Sequence, residues 1–192
     1  MDTLFKTIIE EHVSCLNSML KSDSIQKNVA LAINVIVDCY NNGHKVLLCG
    51  NGGSAADAEH LAGELSGRFK LEREPLSAEA LHVNSAALTA ISNDYSFDTA
   101  YARILKSKAK AGDILIAFST SGTSKNVINA VEQAKAIDVN VISICGRNTE
   151  KMKPLSEVTL SIPSDNTPRI QEAYMVLGHI ICEEVEKRIF QK

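Results

Sequence analysis

Four side chains able to move protons or bind metal sit at helical spacings in two distant stretches of the chain. His60 and Glu64 are four apart in AADAEHLAGELSGR, which brings an imidazole and a carboxylate onto one helical face. That spacing suits half of a divalent-metal site or a base with the group that orients it, and equally a solvated helix face. Far downstream, Gln171 and His179 are eight apart. On a helix that is two turns along the axis and about 80° around it. Gly178, beside His179, costs a helix interior about 1 kcal/mol relative to alanine, and such a glycine often permits close approach of another element. His179 on its own also fits a satisfied core histidine. His12, His44 and His82 show no partner spacing and read as structural.

Two loops add anion-binding capacity. Asn51-Gly52-Gly53-Ser54 allows positive φ and close backbone approach, so its amides can point at an oxyanion. Ser119-Thr120-Ser121-Gly122-Thr123-Ser124 offers five hydroxyls in six residues, ahead of a helix whose first amides lack intrahelical partners. A phosphate monoester fits such a loop. Neither loop is a Walker sequence or a G-x-G-x-x-G fingerprint, so no nucleotide cofactor is expected. The plainer reading of Ser121 and Ser124 is as helix caps in a glycine turn.

Regular elements must position these groups. Apolar residues at helical spacing predict helices over residues 3–20, through Leu4, Ile8, Val13 and Leu16, and over 25–41, through Ile25, Val29, Ile33 and Ile36. Lys45-Val46-Leu47-Leu48-Cys49 then reads as a strand running into the first glycine loop and a helix over about 55–67. The unit recurs, with a strand over 113–118, the hydroxyl loop, and a helix over about 125–136. Further strands are expected near 78–83, 140–145 and 157–162, and a last long helix over 168–190 with Pro168 near its start. Short strands alternating with helices imply a parallel sheet covered on both faces, a three-layer α/β/α sandwich. The whole chain, 1–192, reads as one domain. Its terminal helices carry more apolar surface than one small sheet needs, so the pair within 1–42 is expected to pack on the core and on neighbouring subunits.

Composition narrows the field. With 20 basic against 23 acidic side chains there is no footprint for nucleic acid or an anionic membrane. No apolar run approaches the roughly 20 residues of a bilayer span, and the first residues lack a secretory pattern, so a cytoplasmic location is expected. The five cysteines form no C-x-x-C pair and read as reduced core thiols. With no tryptophan and 5% aromatics, recognition must be polar rather than by ring stacking.

Five segments taken in order carry a resemblance: CGNGGS at Cys49 to Ser54, HLAGELSGR at His60 to Arg68, SND at Ser92 to Asp94, STSGTS at Ser119 to Ser124, and RIQE at Arg169 to Glu172 with His179. Together they resemble the sugar isomerase (SIS) domain family, in the branch that isomerises sedoheptulose 7-phosphate. The resemblance spans nearly the whole chain. It implies a flavodoxin-like sandwich assembled as a homotetramer with sites at subunit interfaces. The implied activity makes D-glycero-D-manno-heptose 7-phosphate for lipopolysaccharide or other surface glycans. It also implies Glu64 and His179 as the acid/base pair, and one zinc per subunit on His60, Glu64, Gln171 and His179. Substrate contacts would fall to Asn51, Gly52, Gly53, Glu64, Asn93, Asp94, Ser119, Thr120, Ser121, Ser124 and Gln171. Pro168 departs from relatives that carry an acid there, so the resemblance does not carry a catalytic role for an acid over to that position. Within the same resemblance lie a non-catalytic tetrameric adaptor, a longer etherase and a sugar-phosphate sensor. The adaptor has no need of the His60, Glu64, Gln171 and His179 set, the etherase is longer, and the sensor would bring a DNA-binding segment.

Overall fold

The structure is a computed structural model and describes residues 2–191. Two helices, α1 (Asp2–Leu20) and α2 (Asp23–Asn41), precede the first strand, β1 (Val46–Cys49). Ser22 caps α2 by accepting from the Ile25 amide. Then follow α3 (Gly53–Ser66), β2 (Ala78–Ala80), α4 (Ser85–Asp94), α5 (Phe97–Lys108), β3 (Ile114–Ser119), α6 (Lys125–Ala136), β4 (Asn140–Cys145), β5 (Val158–Ser161) and α7 (Thr167–Phe190). The expected elements are all present, with bounds shifted by three residues or fewer. Residues 84–112, which carried no expectation, form α4 and α5.

The five strands run parallel in the order β2-β1-β3-β4-β5. Their alternation sorts the core into two layers. Val46, Leu48, Ile114, Ile116 and Phe118 face α1, α2, α3 and α7. Leu47, Cys49, Leu115 and Ala117 face α4, α5 and α6. All five cysteines are free and buried, and burial pushes the Cys39, Cys49, Cys145 and Cys182 thiols up to about 12. No described helix is long and apolar enough to cross a membrane.

The chain order reverses between β1 and β3, which makes their carboxyl ends the crevice where open parallel sheets take ligands. Both punctuated loops emerge there, the glycine loop from β1 and the hydroxyl loop from β3.

Candidate active site

Helix α3 starts immediately after the glycine loop. Gly53, Asp57, His60 and Glu64 succeed one another at steps of four, three and four, which keeps them on one face. That face packs against α7, and the two helices run in the same direction: Gly53 meets Gln171 near their starts, and Leu61 meets Gly178 two turns on. A β-carbon on Gly178 would stand 2.6 Å from both Leu61 methyls, so this glycine permits the close approach its position suggested.

The close packing brings chemistry together. His60 Nε2 lies 3.0 Å from His179 Nε2 and 3.3 Å from Glu64 Oε1. One donor atom from each of the three side chains falls within 4.8 Å of the others, and all three side chains keep contact with solvent. Ligand atoms about 2.0–2.1 Å from a tetrahedral zinc stand roughly 3.3 Å apart, so the two separations from His60 Nε2 suit such an ion, and two imidazoles with a carboxylate are a donor set that zinc takes. Gln171 lies further along the seam, its amide filling the space in front of Gly53.

The hydroxyl loop is tightly organised. Ser119 Oγ, at the end of β3, donates to Ser124 Oγ at 3.2 Å, while Ser121 Oγ accepts from the Thr123 amide and hydroxyl at 3.2 and 3.0 Å. Gly122 has φ +66°, and a β-carbon there would collide with the Asn148 carbonyl oxygen, so the loop following β4 seats against this turn. Helix α6 begins at Lys125, so the Lys125 and Asn126 amides at its start lack intrahelical acceptors, while the Val127 amide is taken by Asn126 Oδ1. Asn93 and Asp94 end α4 exposed, joined by a 3.0 Å hydrogen bond from Asn93 Nδ2 to Asp94 Oδ1.

Several site neighbours were not legible beforehand. Asn51 and Asn126 exchange two 2.8 Å hydrogen bonds between the glycine loop and α6. The Tyr101 hydroxyl donates to the Gly50 carbonyl at 2.5 Å, tying α5 to the same loop. Glu186, one heptad beyond His179, accepts the amides of Phe69, Lys70 and Leu71 and the Nε of Arg73. Arg73 in turn donates to the Glu64 carbonyl. Burial alone would raise the Glu186 carboxyl, but these donors hold it below the usual range. The loop so fixed lays the Phe69 ring 5.5 Å from the His179 ring. Asp57 has a buried Oδ2 without a hydrogen-bond partner among the described residues, and burial pushes its carboxyl up to about 6 against the pull of His60. Asn51 was already expected from its loop; of Asn126, Tyr101, Glu186, Arg73 and Asp57, Asp57 alone had a sequence signal, its three-residue step to His60. The remaining histidines are structural contacts: His12 with Glu172 at 2.7 Å, His82 with Glu59 at 3.0 Å and His44 beside Asp113. Arg169 is engaged by Glu172 and Glu11, which ties the start of α7 to α1.

A family model described as the SIS domain matches residues 11–146. A phosphoheptose isomerase from Helicobacter pylori strain Shi470 is 44% identical over 192 residues, covering all of this chain and 99% of that protein. The chain belongs to the phosphoheptose isomerase family of SIS domain proteins. Another family member, from Clostridium acetobutylicum, is 39% identical over 99% of this chain and 97% of its own length. Among solved structures, a phosphoheptose isomerase from Neisseria gonorrhoeae superposes with TM-score 0.91 at 35% identity, covering 97% of this chain and 98% of that one. The fold is therefore the family's, and the His60, Glu64 and His179 group lies on the α3–α7 seam of that fold.

Proposed function

We propose that this chain is an aldose-ketose isomerase that converts D-sedoheptulose 7-phosphate to D-glycero-D-manno-heptose 7-phosphate. The observation that carries the reading is the convergence of His60, Glu64 and His179 from two helices, in a chain whose full-length relatives are phosphoheptose isomerases. The product would enter activated heptose for lipopolysaccharide or other surface glycans. The sugar phosphate would be met in the cytoplasm.

Moving a carbonyl from C2 to C1 requires a proton to leave C1 and one to arrive at C2, through an enediol whose charge lies on oxygen. Glu64 takes the C1 proton and returns it at C2, and His179 transfers protons at the two oxygens. Ser119, Thr120, Ser121 and Ser124 hold the phosphate with the first amides of α6. Binding energy from that remote group orients the reacting carbons. Asn51, Gly52, Gly53, Asn93, Asp94 and Gln171 complete the sugar contacts. His60, Glu64 and His179 would hold one zinc, with Gln171 joining the set from the Gly53 end; such an ion supplies Lewis-acid polarisation of the carbonyl.

The reading includes a homotetramer of single-domain chains with sites at subunit interfaces. Leu4, Phe5, Ile9, Val13 and Leu20 leave a long exposed apolar stripe on α1. Beside it, Leu16, Met19, Ile25, Val29 and Ile180 line an apolar groove of about 470 Å³ between α1, α2 and α7. A second copy of the same helices is a fitting cover for both.

Proton NMR of sedoheptulose 7-phosphate with the protein in deuterated water tests the activity. An aldoheptose 7-phosphate appearing, with any deuterium entering at C2, is the expected result. An unchanged spectrum, with and without added zinc, would overturn the isomerase reading in favour of a non-catalytic adaptor.

A further inference from the structure

We propose that the Asn51–Asn126 amide pair is a clamp that fixes the distance between the phosphate loop and the glycine loop, which makes Asn126 a positioning residue for the isomerisation. The inference rests on the isomerase reading above. Asn126 is the second residue of α6 and 3% exposed. Its Nδ2 donates to Asn51 Oδ1 and its Oδ1 accepts from Asn51 Nδ2, both at 2.8 Å. The same Oδ1 also accepts the Val127 amide at 3.0 Å. These bonds fix the amide orientation, because a flipped Asn126 would set its NH₂ group against two donors.

The geometry does what a single hydrogen bond does not. Two antiparallel amide bonds resist both sliding and rotation of one loop against the other. The sheet registers β1 with β3 only as far as Cys49 and Ala117, and the loops beyond those residues need their own link. A buried amide also stabilises the fold no better than an apolar side chain of its size, because its hydrogen bonds replace ones it makes in water. Its presence is therefore accounted for by position. The substrate demands such positioning, since its phosphate sits on C7 and its reacting carbons are C1 and C2. A shift of about 1 Å between the two loops is carried along the intervening carbons to the acid/base pair, where errors of that size lower rate by about 100-fold.

The test uses Asn126→Ala, Asn51→Ala and the double variant, with Asn126→Ser as a folded substitute should alanine fail, since a hydroxyl suits the first helical turn. Measured are kcat, KM and the inhibition constant for inorganic phosphate. The expected result for Asn126→Ala is a kcat lower by about 10- to 100-fold, with inhibition by inorganic phosphate within about threefold of wild type. The double variant should be no slower than the slower single one, because both substitutions remove the same link. Unchanged kcat in Asn126→Ala beside an active wild type would overturn the clamp alone. So would a KM and phosphate inhibition constant that rise together at constant kcat, which would make Asn126 part of the phosphate site. A wild-type chain that leaves sedoheptulose 7-phosphate unchanged would overturn the isomerase reading and the clamp with it.

Discussion

Gln171 fills the space in which Gly53 would carry a side chain: a β-carbon built there overlaps its amide and stands 2.8 Å from its Cδ. Gly53 opens α3 and Gln171 lies in the second turn of α7, so this contact sets the upper end of the helix pair that bears His60, Glu64 and His179.

Gly53→Ala therefore separates function from stability. The displaced atoms belong to the end of a flexible side chain, so the melting temperature should move by no more than the equivalent of about 1 kcal/mol. Turnover of sedoheptulose 7-phosphate should fall about tenfold, because the amide leaves the place from which it is proposed to contact the sugar. Calorimetry beside steady-state kinetics checks both halves, and an equal loss in both would mean that Gln171 serves packing alone.

Metal binding should rank the donors. Chelator-treated protein titrated with zinc in a calorimeter should take up one ion per chain. His60→Ala and His179→Ala should each weaken uptake at least tenfold. Gln171→Ala should weaken it less, since a neutral amide oxygen is a poorer zinc ligand than imidazole or carboxylate. Undiminished uptake in the histidine variants would remove the metal from this seam.

How much of this could be read from the chain alone varied with the range of the interaction. The strands flanking the two loops were legible because unbroken apolar runs such as Val46 to Cys49 end in glycine or hydroxyl punctuation. Helix α4 was not, because it buries no residue completely and shows no clean apolar stripe. His60 and Glu64 announce themselves by a local step of four. Asn126 and Glu186 do not, since their partners lie 75 and at least 113 positions away and nothing in a single side chain's type names its partner.

Glu186 should be the costliest single charge to remove. Glu186→Gln sets an NH₂ group against donors that now converge on a carboxylate, and loss of a buried pair of this kind costs about 3–5 kcal/mol. Because its folded carboxyl lies below the ordinary value, its contribution is present above about pH 4.5 and fades as acid protonates it. The denaturant midpoint should accordingly drop in the variant at pH 7 and approach wild type as the pH falls below 4. A midpoint gap that stays constant down to acid pH would contradict this account.

Asp57 works with the opposite sign. Its carboxyl is raised from 3.8 to about 6, so between these values the folded chain holds more protons than the unfolded one and stability declines as pH rises. Asp57→Asn should thus melt at a higher temperature than wild type at pH 8, with the difference closing toward pH 4. Scanning calorimetry across that range reads it directly, and a variant less stable at pH 8 would show that the ionised carboxylate has a partner after all.

The contact between His60 and His179 joins positions 119 apart in the chain. Synthesis proceeds from the N-terminus, so a ribosome-bound chain has both punctuated loops and α3 long before α7 exists. Until the last helix is made, such a chain has both loops, Glu64 and His60 but lacks His179, half of the proton-transfer pair proposed above. Premature termination before α7 would thus leave no slow enzyme behind, only a fragment with no means of turning over what it holds.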